Sequence, residues 1–212
     1  MTERREKGGT EAPESSETQA AAPAGGVPAM AAPESPAPAP APQPPTHVER
    51  ANEMMSRGAF VQAGEAYSAA IAENAEDVDA IAGLGASYLA RAQFDGAEKE
   101  FRKAIKLAPN SPEVNYQLGV TLFKRGVYAA AALQLRRAIE LDREHASAHL
   151  LLGEALNHTG ESEAAIEALE QAIQLQPENG KAFYALGIAY DRKGQHDRAA
   201  EMYRRSREVG GR

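Results

Sequence analysis

The sequence predicts an all-α protein in which pairs of helices stack one after another, preceded by a disordered N-terminal tail. Three observations indicate this architecture: a 34-residue repeat, the spacing of apolar residues inside each repeat, and the crowding of proline near the N-terminus. A fixed period of this length is typical of stacked helical repeats. The repeating columns are Gly85, Gly119, Gly153 and Gly187; Ala63, Ala97, Ala131, Ala165 and Ala199; Ile71, Ile105, Ile139 and Ile173; and Leu84, Leu118, Leu152 and Leu186.

The N-terminal tail differs in composition from the rest of the chain. Ten of the 13 prolines lie in the first 45 residues of the 212. Residues 1–19 contain no aromatic or branched aliphatic side chain, so they cannot bury enough apolar area to offset the entropy lost on ordering. Residues 33–45 read PESPAPAPAPQPP, which favours an extended polyproline spacer. We therefore predict a disordered Pro/Ala-rich tail and linker over residues 1–45 and a repeat domain over 46–212.

Each period contains two amphipathic helices. Apolar and small residues recur at the i, i+3, i+4, i+7 and i+8 positions of one helical face in each half of the period. In the second period these residues are Ile81, Leu84, Gly85, Tyr88 and Leu89, then Ala97, Phe101, Ala104, Ile105 and Ala108.

Glycine marks the break between the two helices of a period. A residue without Cβ can adopt the left-handed conformation that closes a helix, and glycine occupies this position in four periods, with Ala92 in the other. Between periods, Ser111 can cap the next helix, with Pro112 in its first position. The four glycines are Gly58, Gly126, Gly160 and Gly194.

The order Leu84-Gly85, Tyr88, Ala97, Phe101, Ala104, Pro109 resembles the tetratricopeptide repeat. This resemblance implies a right-handed α-solenoid of helix-turn-helix repeats, with repeats at about 44–77, 78–111, 112–145, 146–179 and 180–212. The pattern departs at the ends: Arg50 and Ala51 replace Leu and Gly, and Ser206 and Arg207 replace Ala and Ile. Terminal repeats need a polar outer face, because no neighbour covers them.

Composition and charge exclude several classes of protein. The net charge of −7 and the mildly acidic balance on both sides of residue 45 argue against nucleic-acid binding. The absence of cysteine excludes disulfides and thiolate chemistry. No stretch approaches the roughly 20 apolar residues of a membrane span, and no continuous apolar core follows a basic start, so a cytoplasmic location is favoured over a periplasmic or secreted one.

No motif for catalysis, a cofactor or a metal stands out. There is no phosphate-binding glycine loop, nucleophile elbow or HExxH sequence, so we expect neither an enzyme nor a cofactor. The best metal candidate combines His145, His149 and Glu154. His149 occupies a column of bulky packing residues, however, so structural histidines are favoured and no metal site is predicted.

The resemblance implies that the first helix of each repeat lines a concave groove that binds a protein or peptide. The residues at these positions lack the Lys, Asn and Arg clamp that holds a terminal carboxylate in some relatives. The groove is instead apolar and aromatic in the middle, which favours an amphipathic helix or extended segment as ligand. The alternative is that Tyr116, Phe123 and Tyr184 only pack within the array. The predicted groove residues are Tyr116, Val120, Phe123, Leu150, Glu154, Asn157, Lys181, Tyr184, Ile188 and Asp191.

Three functions fit these features. The favoured one is a non-catalytic adaptor or scaffold that binds protein partners in the groove of a five-repeat array. The second is a structural protein that assembles with copies of itself into a homo-oligomer, and Met202 and Val209 on the last helix are candidate contact points. The third is a regulatory partner of a separately encoded enzyme.

The first prediction concerns the tail. Deleting residues 1–44 should leave the midpoint of thermal unfolding nearly unchanged, because these residues lack a periodic apolar pattern that could pack on the repeats. Circular dichroism melts of the full and shortened chains measure this, and a large fall in the midpoint would show that the tail packs.

Overall fold

The computed structural model describes residues 45–210, and these residues form ten α-helices and no strand. The predicted tail, apart from Pro45, lies outside the described residues. The all-α solenoid predicted from the period is confirmed. The helices are α1 (His47–Ser56), α2 (Phe60–Glu73), α3 (Val78–Ala90), α4 (Phe94–Leu107), α5 (Pro112–Lys124), α6 (Tyr128–Leu141), α7 (Ala146–Thr159), α8 (Ser162–Leu175), α9 (Gly180–Arg192) and α10 (His196–Gly210).

Side-chain caps begin every odd-numbered helix. In each case the residue before the helix accepts a hydrogen bond from a backbone N–H of the first turn, which satisfies a donor that has no partner inside the helix. Ser111 caps α5 as predicted, with Pro112 in the first turn. Helices α2, α4, α6 and α8 begin without a side-chain cap. The five caps are Thr46, Asp77, Ser111, His145 and Asn179.

The predicted left-handed turns are confirmed. The four glycines between paired helices have φ angles of +74° to +86°. Ala92 takes the same conformation with φ of +56°, and no other non-glycine residue in the described part of the chain has a positive φ. A residue with a side chain is strained at a positive φ angle. The geometry of the tight turn therefore overrides the preference of Ala92 for a negative φ.

Close approach of the two helices within a pair requires glycine. A Cβ added at Gly119 would lie 2.7 Å from Cγ of Leu135, and one at Gly85 would lie 2.9 Å from the ring of Phe101. At Gly153 the added atom would overlap Leu169. The large side chain of the second helix therefore packs against the glycine of the first helix, and this contact sets the distance between the paired helices.

The alanine column lies at the same contact. Ala63, Ala97, Ala131, Ala165 and Ala199 are all 0% exposed. The last four belong to a core that continues from Ile81 to Ala199 through successive repeats, and Ala63 belongs to a second cluster with Ala51, Tyr67 and Leu84. Such a core is built from contacts between neighbouring units, as expected for a solenoid.

A buried ion pair also joins two neighbouring repeats. The Glu98 side chain on α4 is 7% exposed. It accepts a hydrogen bond from Arg125, which follows α5, and forms an ion pair with Arg102 on its own helix. Arg125 also contacts Asp95 at 2.9 Å. A buried carboxylate needs such partners, because an unpaired buried charge is strongly destabilising.

A polar contact joins α10 to the start of α9. Ser206, which replaces the alanine of the other repeats, donates a hydrogen bond from its hydroxyl to the carbonyl of Gly180 at 2.7 Å. A Cβ at Gly180 would lie 3.0 Å from the carbonyl oxygen of Ser206, which is closer than most side-chain contacts. The sequence departure at Ser206 therefore ties α10 to the start of α9.

None of the helices within residues 45–210 has the length and apolar character that crossing a bilayer requires.

The second prediction tests the glycine contact. Gly153→Ala should destabilise the fold by about 1–3 kcal/mol, because the added methyl group overlaps Leu169. In an unobstructed helix the same change stabilises by about 1 kcal/mol. Gly210→Ala is the matched control, since nothing lies within 4 Å of the Cβ position there. Urea unfolding measures both variants, and a Gly153→Ala protein as stable as the parent would contradict the proposed packing.

Candidate functional site

The odd-numbered helices form one continuous surface. Each odd helix contacts the next odd helix along the array, whereas the even helices of residues 45–210 do not contact one another. The odd helices therefore lie on the inner side of the stack, where neighbouring repeats are closest. We call this inner surface the groove. It is formed by the residues of α1, α3, α5, α7 and α9 that face away from the paired even-numbered helices.

Tyr184 on α9 is the most exposed aromatic residue of the groove. It is 56% exposed, and its ring centre lies 5.5 Å from that of Tyr203 on α10. Lys181 is exposed one turn earlier on the same helix, where Asn179 caps the backbone. Tyr184 therefore presents most of its ring to solvent, and the core does not depend on it.

Tyr116 on α5 has a different environment. It is half-buried against the core, and its ring centre lies 4.5 Å from the imidazole of His145. Burial raises the pKa of the Tyr116 hydroxyl, and the charges of Glu113 and Glu154 raise it further, while Ser147 opposes the shift. Tyr116 thus contributes to packing between repeats and also borders an acidic part of the groove.

Glu154 on α7 lies near Tyr116 and faces a cavity of about 940 Å³ that Lys181 and Tyr184 also line. Burial raises the pKa of the Glu154 carboxyl, and the positive charge of Lys181 opposes this shift. The carboxylate has no hydrogen bond and no ion pair within residues 45–210. The groove therefore contains a half-buried carboxyl group that has no partner in the described part of the chain.

Phe123 belongs to an aromatic cluster at one edge of the groove. Its ring meets Tyr128 edge-on at 5.3 Å and His158 at 5.7 Å. The rings of Tyr128 and His158 stack in parallel at 4.0 Å. Tyr128 was not among the predicted groove residues, although the aromatic residues Phe60 and Phe94 in the same column of earlier repeats could have indicated it.

Val120, Leu150 and Ile188 are half-buried along the groove floor. They leave part of their apolar surface open between the tyrosines. Leu150 also packs against the core, as Tyr116 and Phe123 do.

Two predicted groove residues are engaged inside the protein. Asn157 is 5% exposed and donates from its amide to the carbonyl of Ala185 at 2.9 Å, while its own amide oxygen has no partner within the described residues. Asp191 accepts hydrogen bonds from Tyr203 at 2.7 Å and from His196 at 3.0 Å. These bonds lower the pKa of Asp191, and burial together with Asp191 raises that of Tyr203 to about 12. Both side chains join α7, α9 and α10 and offer little to a ligand.

The histidines considered as metal ligands have other roles. His145 caps α7 by accepting from the backbone N–H of Ala148, and His149 is buried with its Nε2 3.1 Å from the carbonyl of Arg143. No group of three or more potential metal ligands occurs within residues 45–210.

Comparison with known proteins agrees with this architecture. Tetratricopeptide repeat family profiles match residues 116–179, 159–210 and 54–117. No curated protein sequence matches the chain.

Several solved structures are similar. A crystal structure of MamA is 29% identical, with a TM-score of 0.71, and the match covers 76% of this chain and 94% of MamA. MamA from Desulfovibrio magneticus RS-1, from residue 41 to its end, is 26% identical with a TM-score of 0.73, covering 77% and 93% of the two chains. YrrB, described as a TPR protein with an unusual peptide-binding site, is 24% identical with a TM-score of 0.69, covering 77% and 84%, and supports the fold. Since the family profiles together span most of the chain and the helix pairs repeat with the same period, the protein belongs to the tetratricopeptide repeat family.

Proposed function

We propose that this protein is a non-catalytic adaptor or scaffold, and that the groove of its five-repeat array binds a peptide or helix of a partner protein. The observation that carries the proposal is the exposure of Tyr184, which is 56% open to solvent beside a cavity of about 940 Å³. An exposed large aromatic ring next to an open cavity is typical of a protein-binding surface.

The surroundings of Tyr184 support the same function. Tyr116 and Leu150, in the same column of the two preceding repeats, are half-buried, so apolar surface continues along the odd helices. A segment laid across these helices would cover this surface without displacing the core. A peptide-binding site is described for YrrB, whose fold is similar, and we take from that description only the class of ligand to test.

The third prediction tests the groove. A random display library of 12-residue peptides is selected on the full chain, and the affinity of the best synthetic peptide is measured by fluorescence anisotropy. Tyr116→Ala with Tyr184→Ala should weaken binding at least about a hundredfold, because each buried aromatic anchor commonly contributes about 2 kcal/mol. Tyr184→Ala alone should weaken binding without changing the thermal midpoint, since Tyr184 is mostly exposed.

Leu133→Ala is the matched control. Leu133 is 63% exposed, but it lies on α6, which belongs to the outer layer of even helices. The proposed function predicts no effect of this change on peptide affinity. If Leu133→Ala weakens binding and Tyr184→Ala does not, the ligand binds the outer surface. If Tyr184→Ala lowers the thermal midpoint strongly, Tyr184 serves the packing of the array instead.

A further inference from the structure

Glu154 is the only charged residue in its column of the groove. The corresponding residues in the other repeats are neutral: Asn52, Ala86, Val120 and Ile188. The repeat architecture therefore does not require a carboxylate at this position. Its presence on the surface between Tyr116 and Tyr184 needs another explanation.

Glu98 and Asp191, two other carboxylates that lie partly or fully buried, have partners. Glu98 is bound by Arg102 and Arg125, and Asp191 accepts from Tyr203 and His196. Glu154 has no such partner within residues 45–210. Lys181 is near enough for its charge to act on Glu154, but no nitrogen of Lys181 lies within 4 Å of the carboxylate oxygens.

A ligand that covers the groove would remove the remaining water from Glu154. Burying an unpaired carboxylate is expensive, so an apolar or acidic ligand would bind against a penalty. A lysine or arginine side chain removes that penalty by forming a charge-assisted hydrogen bond. Aromatic ring faces also attract cations, and Tyr116 and Tyr184 occupy the neighbouring repeats on either side of Glu154.

The charges around Glu154 determine on which side of this residue a lysine or arginine of the ligand would bind. Glu113 lies near Tyr116, so the Tyr116 side of Glu154 carries two carboxylates. Lys181 lies on the Tyr184 side and would repel a cation there. A basic residue of the ligand would therefore bind between Glu154 and Tyr116, with apolar residues of the ligand continuing towards Tyr184.

Resting on the proposed function of the groove, we propose that Glu154 determines its specificity by selecting a partner segment in which a lysine or arginine is flanked by apolar residues. Glu154 supplies the charge, and the tyrosines supply the apolar contacts.

The experiment uses the same 12-residue library, selected separately on the full-length parent and on Glu154→Lys. The parent should enrich peptides with Lys or Arg at one position next to apolar residues, and Glu154→Lys should enrich Asp or Glu at that position. Glu167→Lys is the matched control, because Glu167 is exposed on α8 of the same repeat and the charge change is identical. This control should select the same peptides as the parent.

A double-mutant cycle then measures the interaction between Glu154 and the basic residue of the peptide. Replacing the basic residue of the best parent peptide by Gln should weaken binding to the parent at least tenfold, measured by fluorescence anisotropy. The same replacement should have little effect on binding to Glu154→Gln. Lys181→Gln should strengthen binding of the basic peptide, since it removes a nearby positive charge.

The outcomes separate this inference from the proposed function. If selected peptides depend on Tyr184 but show no preference for a basic residue, or prefer an acidic one, the role of Glu154 is wrong and the groove remains the binding site. If binding is insensitive to both Glu154→Gln and the tyrosine substitutions, the groove itself is wrong and both proposals are overturned.

Discussion

The close contact between the glycine of one helix and the large side chain of its paired helix determines the rest of the structure. Because Gly85, Gly119 and Gly153 have no Cβ, the Phe101, Leu135 and Leu169 side chains can lie directly against the first helix. The fully buried alanine column continues this contact. The two helices of a pair therefore pack closely along their whole contact, and the remaining side chains are free to contact the next pair or the solvent.

The glycine contact within each helix pair also explains why the groove is suited to binding a partner. The second helix directs its large residues inward, and the odd helices contact one another along the inner side of the stack. Residues of the odd helices that point away from the paired helix consequently form columns on that surface. The array does not need a particular residue there, so side chains as different as Val120, Glu154 and Ile188 occupy equivalent positions.

Polar contacts between helices determine which residues of this surface are engaged inside the protein and which are open to a partner. The amide of Asn157 and the carboxylate of Asp191 bind groups on neighbouring helices, which fixes α7, α9 and α10 relative to one another. Glu98 plays a comparable role on the outer side through Arg125. Tyr184 and Glu154 lack such engagements within the described residues, so the chemistry available for a partner is concentrated around them.

The sequence by itself determined the repeat period, the two helices of each period, the left-handed turns and the cap at Ser111, because each depends on residues close together in the chain or on a column that recurs every 34 residues. Only the tertiary structure decided which groove positions are open. Asn157 meets Ala185 across a repeat boundary and Tyr116 meets His145, the cap of α7, whereas Tyr184 stays exposed. These differences depend on the particular side chains that neighbouring repeats place opposite each other, and equivalent positions in a periodic sequence do not reveal them.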